Sequence, residues 1–462
     1  MTLLIKNSRI ITATDDYVAD IFIDDDKIKV IGAALTMPAH RTIDAAGKYV
    51  IPGGIDPHTH MELHVGAAVA SDDFQTGTIA AAHGGTTTII DFVTQARAGT
   101  MHAALADWMA LAAKSVIDYG VHMIVANLPD DLLTEMDALV HEGITSFKMF
   151  TAYPERLQLD DGVIFRAMAR ARENGGLVMM HAENGALIDH FIRQFLAEGK
   201  TTPNYHPLSR PHASEAEATH RVLALAELAG APVYIVHVSS RFAMEEIRAA
   251  RSRGARVFGE TCPQYLALAS EQYADGSFDG ARLVCSPPIR ERANQEPLWR
   301  ALGDDVLQTL ATDHCPFTTK QKELGRGNFT KIPNGVPGVE NRMHIAYQGG
   351  VVARGWSMHR FVQVTSTAAA KLFGLFPRKG TIAVGSDADI VLWDPARKYT
   401  IRAATQFTRV DYNPYEGTTI DGSPSLVIAR GRVIFEDDKF LGKRGQGEYL
   451  KRGVGKCNLA HL

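Results

Sequence analysis

The stretch Tyr49-Val50-Ile51-Pro52-Gly53-Gly54-Ile55-Asp56-Pro57-His58-Thr59-His60 is a short apolar segment that runs directly into two histidines. Other apolar segments of the chain end in, or contain, His181, His237, Asp313 and Lys148. Buried parallel strands are near-continuous apolar runs. In a (β/α)₈ barrel, functional residues lie at the carboxyl ends of such strands. We therefore predict an α/β barrel whose rim gathers these side chains into a site for a pair of divalent metals.

The two ends of the chain have a different character from its middle. Residues 1–54 and 376–440 are rich in short Ile- and Val-containing strands separated by Gly and Asp, one of them over Thr381–Val384. Residues 55–375 alternate apolar strands with helical stretches, which is typical of a parallel sheet. We predict a smaller β-sandwich domain built from both chain ends, with the catalytic barrel inserted between them. Residues 441–462 are predicted to be an exposed tail that lies on a neighbouring subunit.

Composition narrows the class of protein. The chain has 462 residues, 45% of them apolar and 22% charged, and a net charge of −4, as expected of a globular protein. It has no basic block that would suggest nucleic acid, and no apolar run as long as a membrane span. Its 4 cysteines form no CxxC pair, and its first residues do not resemble a signal peptide. These features predict a cytoplasmic protein.

The histidine pattern favours a metal site. Side chains alternate along a strand, so His58 and His60 are expected on one side, where two imidazoles can bind one ion. An HxH pair alone is a weak signal, and a lone histidine at a strand end is more often structural. The pair together with His181, His237 and Asp313 is far more specific. Imidazole and carboxylate ligands suit zinc, manganese, iron, nickel or cobalt.

Lys148 is the unusual member of this set, because a cationic lysine would repel metals. By itself it would be interpreted as a salt-bridged lysine. Burial lowers the pKa of a lysine and frees its amine. A neutral amine can react with CO₂ to give a carbamate, an anion that can bridge two metals. We therefore predict that Lys148 is N6-carboxylysine.

The chain resembles the dihydropyrimidinase/hydantoinase branch of the amidohydrolase superfamily from residue 3 to about residue 450. The motifs that carry this resemblance are Gly53–His60, Ser146–Lys148, His181–Asn184, His237, Gly259–Tyr265, Ser286–Pro288, Ala311–Pro316, Pro333–Glu340 and Gly380–Asp389. The resemblance implies a barrel with a β-sandwich, a dimetal centre and a homotetramer arranged as a dimer of dimers.

Carried over position by position, the resemblance assigns each ligand. His58, His60 and Asp313 would bind the more buried metal, His181 and His237 the more exposed one, and carboxylated Lys148 would bridge both. Zinc is the favoured ion, and manganese, nickel, cobalt and iron remain open.

The resemblance also implies the reaction and the substrate contacts. Asp313 would move a proton, Tyr153 would stabilise the oxyanion, and Ser286 and Asn334 would hold the ring amides, largely through main-chain atoms. The small-molecule substrate would be a cyclic amide or imide. Dihydropyrimidines or 5-substituted hydantoins would open to N-carbamoyl amino acids.

Several alternatives remain at this stage. Dihydroorotases place an arginine two residues after the HxH motif, where this chain has Glu62, an acid that would repel an anionic ring. An allantoinase-like enzyme, a non-catalytic scaffold of the same fold and a mononuclear deaminase are further candidates, and Lys148 argues against the last. Loops 61–70, 93–99 and 151–157 are expected to meet the ring substituent. The second loop carries Gln95 and Arg97, which leaves ring size and enantiopreference open.

Overall fold

The computed structural model describes residues 1–273 and 276–455. The amino-terminal strands are β1 (Thr2–Ile11), β2 (Asp16–Asp24), β3 (Lys27–Gly32), β4 (Arg41–Asp44) and β5 (Tyr49–Pro52). The strands of the middle region are β6 (Gly54–Thr59), a small hairpin of β7 (His64–Val65) and β8 (Ala68–Val69), β9 (Thr86–Thr94), β10 (Asp118–Ile124), β11 (Ser146–Phe150), β12 (Leu177–His181), β13 (Val233–Ile235), β14 (Val257–Thr261) and β15 (Thr309–Leu310). The last strands are β16 (Ile390–Thr400), β17 (Thr419–Ala429), β18 (Arg432–Glu436) and β19 (Lys439–Phe440).

The helices lie between the strands of the middle region and between its last strand, β15, and β16. They are α1 (Phe74–His83), α2 (Met101–Ala112), α3 (Asp130–His141), α4 (Asp161–Asn174), α5 (Gly185–Ala197), α6 (Tyr205–Leu208), α7 (His212–Ala229), α8 (Arg241–Ser252), α9 (Pro263–Ala267), α10 (Gln295–Gly303), α11 (Thr319–Lys322), α12 (Arg342–Ala346), α13 (Met358–Val362) and α14 (Ala368–Leu372). Within the described ranges, no helix combines the length and the apolar character needed to cross a bilayer.

The middle strands form a closed parallel barrel. They pair in the order β15-β14-β13-β12-β11-β10-β9-β6. The two ends of this order meet through a parallel bridge between Thr59 and His314, and the His60 N–H donates to the His314 carbonyl at 2.8 Å. Every residue of β10, β11 and β12 is buried, as expected for strands covered on both faces. The predicted (β/α)₈ barrel is confirmed.

Both chain ends contribute to one nine-stranded mixed sheet. The order is β19-β18-β17-β16-β5-β1-β2-β3, with β4 beside β1. The two ends join where β5 runs antiparallel to β16, with Ile51 opposite Val391. A mixed sheet built from both chain ends, beside the barrel, is thus confirmed, while the domain boundaries 1–54, 55–375 and 376–440 stay predictions. The strand expected over Thr381–Val384 was wrong: Gly380 and Gly385 flank this segment with φ of 81° and 93°, which interrupts an extended backbone.

Two strands that lead to predicted metal ligands are shorter than predicted. Strand β13 stops at Ile235 and β15 at Leu310. His237 and Asp313 then adopt φ of 40° and 53°, a left-handed conformation that a strand cannot contain. These turns aim both side chains across the barrel mouth.

The predicted exposed tail is partly buried. The Leu450 N–H donates to the Tyr119 carbonyl at 2.8 Å, and the Arg452 N–H to the Gly143 carbonyl at 3.1 Å. Leu450 is 0% exposed and Arg452 3%. These contacts lie at the amino-terminal ends of β10 and β11, so the segment covers the barrel end opposite His58. Its apolar content is low, which is why the sequence suggested exposure. Residues 456–462, including Cys457, lie outside the described residues.

His83 connects the barrel to the mixed sheet. Its Nδ1 lies 2.8 Å from Glu340 Oε1 and its Nε2 lies 3.0 Å from Asp438 Oδ1, a residue in the turn between β18 and β19. Burial alone would lower the pKa of this imidazole, but the hydrogen bonds to Asp438 and Glu340 raise it to about 9 from the ordinary 6.5. The protonated ring therefore stabilises the folded state.

We expect this stabilisation to be full below pH 6.5 and to be lost as the pH rises through about 9. It amounts to on the order of 3 kcal/mol, since one pKa unit corresponds to about 1.4 kcal/mol. Thermal unfolding between pH 6 and 10 should show this decline in the parent protein and not in His83→Gln. Equal pH slopes for the two proteins would contradict it.

Candidate metal centre and active site

Three predicted ligands lie around one point at the barrel mouth. His58 in β6, His60 just after it and Asp313 after β15 each offer a ligand atom, and these atoms all lie within 4.8 Å of one another. Both His58 Nε2 and His60 Nε2 lie 3.1 Å from Asp313 Oδ1. Two imidazoles and a carboxylate are ligands that a divalent transition metal favours.

The other three predicted ligands adjoin this group. Lys148 Nζ, on β11, lies 2.8 Å from His58 Nε2. His181 Nδ1, at the end of β12, lies 2.9 Å from His237 Nε2. The ring centroids of His58 and His237 are 5.4 Å apart, which joins the two halves. The structure thus brings together all six side chains that the sequence predicted as ligands.

Two buried glutamates orient the histidines, and neither was predicted as a site residue from the sequence. Glu260 accepts from His58 Nδ1 and from the His237 N–H at 3.1 Å. Glu183 lies 2.9 Å from His181 Nε2. Because a carboxylate only accepts, His58 Nδ1 and His181 Nε2 carry hydrogens, and the other ring nitrogens, His58 Nε2 and His181 Nδ1, face the centre. Both glutamates lie inside motifs that carry the family resemblance, and this was the signal in the sequence that could have identified them.

The electrostatics of the cluster fit a cation. Burial lowers the pKa of His60 to about 4 and the pKa of His237 well below its ordinary value, so both rings are neutral ligands at neutral pH. Burial also lowers the pKa of Lys148 to about 8. For Asp313 the neighbouring groups outweigh burial: burial acts to raise its pKa, but His58 and His60 hold that pKa well below the ordinary value, so the carboxylate is ionised. Buried Nδ1 atoms of His60 and His237 lack hydrogen-bond partners.

A cavity of about 450 Å³ opens above this cluster. The predicted substrate residues line it: Tyr153, Ser286 and Asn334. Asn334 Nδ2 donates to Ser286 Oγ at 3.1 Å. Burial raises the pKa of Tyr153, which keeps its hydroxyl a donor at neutral pH. The volume suits a small ring, since ligand cavities begin at roughly 300 Å³.

All three loops expected to meet a ring substituent reach the cavity rim. They contribute Leu63, His64, Val65, Gln95, Arg97, Arg156 and Leu157. Glu62 does not face the cavity, because its carboxylate binds Lys114 Nζ at 2.6 Å. Glu62 is therefore not placed to repel an anionic ring, contrary to expectation, and the sequence feature that still speaks against a dihydroorotase is the missing arginine.

Known proteins resemble this chain over nearly its whole length. The amidohydrolase family model matches residues 49–434. The chain is 51% identical over 455 residues to a D-hydantoinase of Geobacillus stearothermophilus, covering 98% of this chain and 97% of that protein. It is 49% identical to a D-hydantoinase of Streptomyces coelicolor over 458 residues, 98% of each chain. The crystal structure of dihydropyrimidinase from Brevibacillus agri NCHU1002 superimposes with a TM-score of 0.97 at 49% identity, covering 98% of this chain and 99% of the other.

Proposed function

Because this chain belongs to the dihydropyrimidinase/D-hydantoinase family of the amidohydrolase superfamily and is a cyclic amide hydrolase, we propose that it works with two divalent metal ions. The observation that carries this proposal is the meeting of four imidazole nitrogens, one carboxylate and one amine at the barrel mouth. Imidazole nitrogens and an ionised aspartate form a donor set suited to such ions.

In this proposal His58, His60 and Asp313 hold one ion, and His181 and His237 hold the other. Zinc is the favoured ion, and the same ligands accept manganese, nickel, cobalt or iron. When bound, the metals would supply a positive charge beside the reacting carbonyl and a water whose pKa falls from 15.7 to about 7.

Carboxylation of Lys148 completes the proposed site. The Nζ atom is buried and faces an imidazole nitrogen rather than a carboxylate. Its neutral amine adds to CO₂, forming an N–C bond and releasing one proton. The resulting carbamate is an anion, so it would bind the metals that an ammonium would repel. The lowered pKa of Lys148, about 8, makes the neutral amine available near neutral pH.

The remaining steps fall to Asp313, Tyr153, Ser286 and Asn334. Asp313 lies at the cluster with an ionised carboxylate, so it can accept the proton of the attacking water and deliver it to the leaving ring nitrogen. The Tyr153 hydroxyl can donate to the oxygen of the tetrahedral intermediate. Ser286 and Asn334 line the wall and can hold the ring amides.

The test is a substrate panel run on metal-reconstituted protein. We expect dihydrouracil to open to N-carbamoyl-β-alanine, and hydantoin to open to its N-carbamoyl amino acid. Phenylhydantoin measures whether the rim, with Leu157 but also Arg97 and Arg156, accepts an aromatic substituent. Initial rates followed by loss of ring absorbance give the comparison.

Asp313→Asn protein prepared in the same way controls for contaminating host enzyme. Inactivity of the reconstituted parent protein on all three rings would reject the proposed substrates. The curated relatives described above are D-hydantoinases, so we propose D-enantiomers as the preferred 5-substituted hydantoins, which chiral analysis of the product would check. We also propose that the protein is a homotetramer, as the family resemblance implies, and that it is cytoplasmic, as its composition suggests.

A further inference from the structure

A fully buried lysine lies next to the active-site wall. Lys322, at the end of α11, is 0% exposed. Its Nζ donates to three main-chain carbonyls: Val284 at 2.9 Å, Pro333 at 2.7 Å and Gly335 at 2.7 Å. An ammonium has three N–H donors, so this arrangement satisfies all of them.

The three carbonyls belong to the two segments that carry the ring-binding residues. Pro333 and Gly335 flank Asn334, and Val284 lies two residues before Ser286. The segments also bond to each other, since the Gly335 N–H donates to the Val284 carbonyl at 2.9 Å. Lys322 therefore sits behind the cavity wall and holds both segments from outside.

A charged lysine is energetically unfavourable at this buried position. Burial lowers its pKa to about 7, because a charge is poorly solvated inside the protein. An apolar side chain would fill the same volume without that desolvation cost. Three carbonyls from two separate loops accept hydrogen bonds from this one cation, so the ammonium fixes the main chain of both loops.

The backbone there has little freedom to relax by itself. Gly335 has φ of 147°, and a Cβ at this position would lie 2.3 Å from the Cys315 carbonyl oxygen. Gly335 thus packs closely against Cys315, in the segment that follows Asp313. Lys322 is carried by that same stretch of chain, so it ties the ring-binding wall to the segment that bears the proposed base.

We propose that Lys322 is a positioning residue for substrate binding: its ammonium holds the main chain at Ser286 and Asn334 in the geometry that receives the ring amides. This inference rests on the proposed function for the identity of the ring. It assigns Lys322 no contact with substrate or metal. Its loss should therefore weaken ring binding more than it slows the chemical step.

Lys322→Met removes the donors at similar volume, and Lys322→Gln keeps two N–H donors on a shorter stem. We expect KM for hydantoin to rise about tenfold to hundredfold in Lys322→Met, as for losing hydrogen bonds to a charged group, with kcat within about threefold. Lys322→Gln should show a smaller rise, and metal content should not change. The matched control is Arg360→Met. Arg360 lies away from the cavity, and its Nε donates to the Leu302 carbonyl at 2.6 Å, so this variant also removes a cation that bonds to the main chain.

Hydrogen exchange gives a second readout that needs no turnover. Amides in segments 284–287 and 333–336 should exchange at least about tenfold faster in both Lys322 variants, and should stay protected in Arg360→Met. Unchanged exchange in these segments, or a KM shift no larger than that of Arg360→Met, would overturn the proposal. If the parent protein opens none of the rings, the proposed function fails and the exchange experiment still decides the role of Lys322. If Lys322→Met does not fold, Lys322→Gln decides both readouts.

Discussion

Lys148→Ala is expected to lose most of its bound metal and to open hydantoin at least about a thousandfold more slowly than the parent protein. The variant removes the only proposed ligand shared by both ions, and each 1.4 kcal/mol of lost transition-state stabilisation lowers the rate about tenfold. Metal analysis by mass spectrometry and initial rates measure the two effects. About two equivalents of metal per chain in the parent protein would support the proposed pair of ions, and none would contradict it.

The matched control is Lys114→Ala, because Lys114 is also partly enclosed but pairs with Glu62 outside the cavity. This control should retain its metal and its rate. Formate or acetate added to Lys148→Ala should restore part of the activity by supplying a carboxylate to the gap. A fully active Lys148→Ala in the absence of added acid would rule out the carbamate bridge.

Asp313→Asn is expected to lower kcat by about 10²–10⁴-fold, the usual contribution of a general acid–base group, with a smaller effect on KM. Asparagine keeps an oxygen ligand beside His58 and His60 but cannot accept a proton as a carboxylate does. Metal content measured on the same sample separates loss of the base from loss of a ligand.

Asp387→Asn provides the comparison, since Asp387 is a buried carboxylate that pairs with Lys379 at 3.0 Å outside the cavity. It should reduce thermal stability and leave kcat unchanged. Normal kcat in a fully metallated Asp313→Asn would remove Asp313 from proton transfer.

The barrel and the ligand cluster could be predicted because their signals are local. A strand such as 177–181 is apolar throughout and ends in His181, and parallel strands bring such ends to one rim. His58 and Lys148 lie within β6 and β11, and Asp313 follows the end of β15, so their meeting also required only the correct fold. A sheet built from both chain ends was predicted from their shared strand-rich character, and the structure shows that the two ends pair at residues 49–52 and 390–393.

The residues that support the cluster could not be predicted in this way. Glu260 bonds to His58, which is 202 residues away along the chain, and Lys322 bonds to carbonyls at most 38 residues away. A single buried glutamate or lysine leaves no periodic pattern in the sequence. Left-handed backbone at His237 and Asp313 is likewise invisible in composition, because neither residue is glycine. The buried segment around Leu450 was missed because one apolar side chain among polar ones does not suggest a core.

The covering of the lower barrel end by Leu450 and Arg452 affects how this chain must fold during synthesis. The ribosome releases the amino-terminal strands first, yet their partner β16 begins at Ile390. The residues around Leu450 that cover the barrel end opposite His58 follow β16 in the chain. The amino-terminal strands are therefore synthesised long before β16 and this covering segment, so the nascent chain exposes apolar surface in that interval and is then most in need of a chaperone.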